Sequence, residues 1–144
     1  MTPAGDSPDT AADPIAAFQR RCDAIEEAYE FFLAYASQGL PSDHGSDNGR
    51  QVREYLRRCN DALEGLAATL TQCADRLGSD AGSYRAFIRV IDRDARDAQA
   101  AVQLVAAERS IGSQIIDNLN ASIHIRALLT DLFLIDEVLK TRAQ

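Results

Sequence analysis

The sequence predicts an all-α fold, an antiparallel up-down four-helix bundle behind a short N-terminal leader. Three observations predict it. Apolar residues recur at alternating steps of three and four through most of the chain, the spacing of helices that pack in a bundle. Clusters of Gly, Ser, Asp and Pro cut those runs into segments of helix length. The 144 residues suffice for one domain with one core, so neither a disulfide nor a metal is needed to hold it.

Residues 1–12, rich in Pro, Asp, Ser and Thr and without an apolar run, read as a disordered leader, and 13–144 as the single bundle domain. The first helix, about 13–38, opens at Asp13-Pro14, where a carboxylate can cap free amides and proline suits the first turn. Ile15, Phe18, Cys22, Ile25, Tyr29, Phe32 and Ala36 form its stripe, Phe31 and Tyr35 a second, smaller apolar edge, and Gly39 with Leu40-Pro41 its stop. After the loop "PSDHGSDNG", a second helix over 48–77 repeats Val52, Leu56, Cys59, Leu63, Leu66, Leu70, Cys73 and Leu77. Gly78 closes it, and "GSDAGS" is a connection short enough to join antiparallel neighbours. Tyr84, Ile88, Ile91, Ala95, Ala98, Val102 and Val105 mark a third helix over 80–109. Gly112 is read as the turn into a fourth over 113–141, since one rod of about 60 residues would reach ~90 Å and bury its stripe only in a partner.

The fourth helix carries two apolar stripes. In a helical projection, Asp117, Asn120 and Asp131 fall within about 40° of His124 as a polar strip. Ile125, Leu128, Leu129, Leu132 and Leu139 flank it on one side, and Ile116, Ile123, Ala127, Leu134 and Val138 on the other. A surface helix of a small bundle needs one stripe, so a second predicts burial in a homodimer. The residues expected there are Ile125, Leu128, Leu132 and Leu139, with Phe31 and Tyr35 of the first helix.

The charge, -7 from 22 acids and 15 bases, repels phosphate backbones and anionic lipid, which disfavours nucleic acid and membranes as partners. No apolar stretch approaches the ~20 residues of a membrane span, and the expected location is cytoplasmic. Lys140 is the one lysine among the bases. Arg50, Arg53, Arg57 and Arg58 cluster with Glu54 alone among them and form the expected basic patch for an acidic partner segment or a phosphate group. The alternating Arg and Asp residues of 85–97 read as a salt-bridged surface. "RRC" recurs at Arg20 and Arg57, a faint internal echo.

Catalytic chemistry finds little footing. Di-iron bundles need inward Glu residues and Glu-x-x-His pairs, whereas Pro41 and Ala121 stand three residues before His44 and His124. The odd count of cysteines, Cys22, Cys59 and Cys73, argues against a disulfide framework, and all three sit on apolar stripes. There is no GxSxG elbow or Gly-rich phosphate loop. No cofactor or metal is expected. "SIHIRALLTDL" has a passing likeness to a histidine-kinase H-box, but aligning on Arg126 puts Ile123 at the acceptor position.

The expected function is that of a non-catalytic accessory, adaptor or assembly protein working through protein-protein contacts of a dimeric bundle. The alternatives are a phosphotransfer bundle using His124 as acceptor, and a pocket for a small apolar ligand lined by Phe18, Tyr29, Phe31, Phe32 and Tyr35.

Overall fold

The computed structural model describes residues 13–77 and 82–142; the leader and most of the "GSDAGS" connection lie outside the described residues. Six helices are found and no strand among those residues: α1 (Pro14–Ala36), α2 (Asp47–Leu63), α3 (Leu66–Leu77), α4 (Gly82–Ala106), α5 (Ser113–Ala121) and α6 (His124–Arg142). The expected count of four is therefore corrected to six. Two of the expected helices are each broken once, at Glu64-Gly65 and at Ser122-Ile123.

Local chemistry explains each boundary. Asp13 caps α1, its carboxylate accepting from the amides of Ile15 at 3.0 Å and Ala16 at 3.2 Å. Ser46 caps α2 by accepting from the Gly49 amide at 2.9 Å. The first break uses Gly65, at φ 73, where a residue without Cβ turns the chain at no steric cost. Arg21 of α1 then supplies donors to the orphaned carbonyls of Ala62 at 2.9 Å and Glu64 at 2.5 Å. The second break has no glycine: Ile123 itself takes φ 65, a conformation that costs a β-branched residue roughly 1–2 kcal/mol. The Ser122 hydroxyl offsets part of this by donating to the Leu119 carbonyl at 2.6 Å.

Both α1 and α4 pack against the α2-α3 pair and against the α5-α6 pair, and the buried side chains form one continuous core. Phe18, Ile25, Phe32, Leu56, Leu70, Ile91, Val102, Ile116, Leu128 and Leu132 lie at its centre. Each such large apolar side chain contributes about 1.5–3 kcal/mol on burial.

At one end of the molecule, the α1-α2 and α4-α5 loops are tied together by polar side chains. Asp43, with a buried carboxylate, accepts from the Ile111 amide at 2.7 Å and from Arg53 Nε at 2.5 Å. Arg53 also donates to the carbonyls of Glu108 at 3.0 Å and Arg109 at 3.1 Å. The Tyr35 hydroxyl donates to the Ile111 carbonyl at 2.7 Å. Ser113 accepts from the Leu40 amide at 2.8 Å and donates to the Tyr35 carbonyl at 2.6 Å. Turn chemistry thus becomes tertiary structure, and the α4-α5 turn expected at Gly112 is held by residues some seventy positions earlier.

Candidate functional site

Four of the residues expected at a dimer interface are spent inside the chain. Ile125, Leu128, Leu132 and Leu139 of α6 are buried in the core. The physical reason is that a projection shows two stripes without showing which one the chain itself covers, and here α4 and α1 cover this one. Tyr35 is likewise fully buried, and Phe31 is half-buried against the rings of Tyr35 at 6.0 Å and Tyr55 of α2 at 4.5 Å. That aromatic edge is therefore occupied by α2. Phe18 and Phe32 fill the core together with Tyr35, so the cluster offered as a ligand lining packs against itself and its neighbours.

Large apolar residues remain exposed at Leu104 of α4, 71%, and on and beside the outer side of α6. Ile123 is 50%, Phe133 53% and Leu134 56% exposed, and Leu33 on α1 is 48% exposed. Two hollows flank the seam between α1 and the α5-α6 pair. One is lined by Cys22, Glu26, Leu132 and Phe133, the other by Tyr29, Leu33, Ala36 and Asn120.

The four arginines at the head of α2 prove more compensated than their local sequence suggests. Arg50 pairs with Asp47, Arg57 with Glu54 and with Asp61 at 3.1 Å, and Arg58 with Glu54 at 3.1 Å. Arg53 is engaged by Asp43, a partner supplied by the preceding loop. Arg58 also lies over the Tyr55 ring at 5.2 Å. Each guanidinium is thus already engaged by a carboxylate, which weakens the cluster as a free basic patch. Arg20, Arg21 and Arg58 instead line a groove between α1 and the α2-α3 pair, floored by Ala17, Ala62 and Ala68. The two "RRC" copies thereby meet at this groove, with Cys22 and Cys59 turned to the core. The salt-bridged surface expected on α4 is present at Arg96 and Asp92, 3.0 Å apart.

His124 is exposed at the first position of α6. The break before it dissolves the expected polar strip, because α5 and α6 no longer share a helical phase. Asn120 donates to the Phe32 carbonyl on α1 at 3.2 Å, whereas Asp131 faces Asp94 on α4. His44 is exposed in the loop region, its Nε2 3.1 Å from the Arg109 carbonyl. Among the described residues no group of His, Cys, Asp and Glu side chains could hold a metal ion. The three thiols are free and buried, and burial first of all pushes Cys22 and Cys59 up to about 12 and Cys73 to about 11, away from nucleophilic character.

The facing carboxyls of Asp94 and Asp131 were not anticipated as a pair. Burial, then a hydrogen bond with Asp94 and the Asp94 charge, push Asp131 up to about 7. Because this lies above the ordinary 3.8, the stability it contributes is fully present below about pH 4 and lost as the pH rises through about 7. Asp131→Asn keeps a donor toward Asp94 and removes the charge. At about pH 8 it is expected to raise stability by about 1–2 kcal/mol, discounted for residual solvent, with the gain vanishing below about pH 4. Urea denaturation at the two pH values checks this.

No known protein-family profile matches the chain, and neither a curated protein nor a solved structure does. Among the described residues no helix is long and apolar enough to cross a membrane.

Proposed function

We propose that this protein is a non-catalytic accessory or adaptor protein that works through protein-protein contacts of its helical faces, as a homodimer. In this reading α2-α3 and α5-α6 each serve as one bent rod, so that six helices act as a four-rod antiparallel bundle. The observation that carries the reading is the exposed outer side of α6. Phe133 and Leu134 are half-exposed large apolar residues at successive positions of α6, and Ile123 is 50% exposed at the break just before it. Exposed apolar side chains gathered on one side of a fold are what a partner would cover.

Sedimentation velocity at micromolar concentration tests the homodimer directly. Wild type is expected to sediment as a dimer and Leu134→Glu as a monomer of unchanged helicity. A strictly monomeric wild type overturns self-association. The adaptor role is tested by placing a photo-crosslinking residue at position 133 or 134 in the native host. A discrete heterologous adduct at either position is expected, and its absence at both overturns the role.

A further inference from the structure

The seam between α1 and α6 differs from the exposed outer side of α6 in carrying an excess of acid. Phe133 projects half-exposed beside the first hollow, and Leu33 beside the second. On α1 these hollows are centred near Cys22 and Leu33, eleven residues apart, or ~16 Å and three helical turns. That interval matches side chains repeating at i, i+4, i+7 and i+11 on a helix laid along the seam.

Around these apolar points stand Asp23, Glu26 and Glu30 of α1 and Asp136 of α6. Glu26 is held above the ordinary carboxylate range by burial first, then by the charges of Asp23, Glu30 and Asp136. The facing cations are Lys140, already 3.1 Å from Asp136, and Arg126 at the far hollow. Asp117 lines that hollow too and balances Arg126, so the excess of acid lies at the Glu26 end of the seam.

We propose that the α1-α6 seam is the docking groove for a basic amphipathic helix of another protein, its apolar side chains seated against Phe133 and Leu33 and its Lys or Arg residues facing the carboxylates. Charge decides the occupant. A second copy would set one net-acidic seam against another, with Lys140 and Arg126 as the only facing cations named on each, which costs association energy instead of supplying it. A basic helix relieves the repulsion already present around Glu26. The inference rests on the adaptor reading above and names the chemistry of the partner.

The probe is a fluorescein-labelled helical peptide of leucine and arginine, about five turns long, titrated into the full chain and followed by anisotropy. Saturable one-to-one binding is expected, weakened about tenfold or more by Phe133→Ser. The double variant Asp23→Asn, Glu26→Gln is expected to weaken binding and flatten its salt dependence. A peptide of the same composition in scrambled order should bind about tenfold more weakly, since it lacks the apolar stripe. Circular dichroism establishes that each variant keeps its helices. Equal binding of the scrambled peptide, or unchanged affinity of Phe133→Ser, overturns the proposal. It is also overturned if the probe does not bind, and if Phe133→Ser then dissociates a wild-type dimer, a second copy is the occupant. The crosslinking experiment separates the two readings. An adduct at position 133 with a protein lacking a basic helix removes this inference and leaves the adaptor role standing, whereas no adduct at 133 or 134 removes both.

Discussion

Gly49→Ala is expected to destabilise the fold by about 3–4 kcal/mol, although the same change in an open helix would stabilise it by about 1 kcal/mol through helix propensity. Gly49 lies in the first turn of α2, directly beneath the loop that delivers Asp43. A Cβ there would stand 1.7 Å from the Asp43 carbonyl oxygen and 2.7 Å from its Cα, which are backbone atoms that cannot rotate away. The loop would have to lift by more than an ångström. Doing so stretches the bonds from Asp43 to Arg53 and Ile111 that tie the two loops together. The contrast is Gly45→Ala. Gly45 sits at φ 84 with open space around it, so its cost is the left-handed strain alone, about 1–2 kcal/mol. Urea denaturation of both variants checks the difference, and equal midpoints would show that the loop yields freely.

Those two glycines illustrate what a sequence discloses. Asp13-Pro14 announces α1 because a cap is a local device, contained within four residues, and the structure places the helix start there. The three-four rhythm identifies core positions on α1, α2 and α4 for the same reason: periodicity is a property of one segment. The break at Gly65 had a visible signal, a lone glycine, but its stabilisation comes from Arg21, more than forty residues earlier. Ile123 gave no signal, since β-branched residues disfavour the conformation it adopts. The core stripe of α6 was legible, whereas the second stripe runs across the break at Ser122-Ile123: Ile116 is buried in α5 and Val138 packs against the core. Which stripe meets α1 and α4 depends on how the broken rod rotates, and only the folded chain determines that. The compensation of Arg53 by Asp43 was hidden in the same way, because the charges meet across a loop and not along one helix face.

Asp43→Ala is expected to cost about 3 kcal/mol at neutral pH, since it leaves a buried amide without an acceptor and an arginine without its carboxylate. The amide belongs to Ile111, which has no exposed surface, and the Asp43 carboxylate is the acceptor it loses. Arg53 is less affected, being partly exposed and still able to donate to the Glu108 and Arg109 carbonyls. Acid should reproduce part of this loss in the wild type. Burial alone would raise the Asp43 carboxyl, but hydrogen bonds from Arg53 and from the Ile111 amide outweigh it and hold the group at about 2, against an ordinary 3.8. With the folded value depressed, the contribution is complete above about pH 4 and is lost as the pH falls toward about 2. The span corresponds to about 2 kcal/mol at most, and to about 1 kcal/mol once solvent screening at the partly exposed Arg53 is discounted. Asp43→Asn separates the two components: its amide oxygen can still accept from Ile111, while the charge facing Arg53 is gone. It should be destabilised less than Asp43→Ala at neutral pH and lose this component of the acid dependence between about pH 4 and 2. Chemical denaturation of the three proteins across that range measures both effects, and parallel pH profiles would show that Asp43 ionisation is not what links the loops to stability.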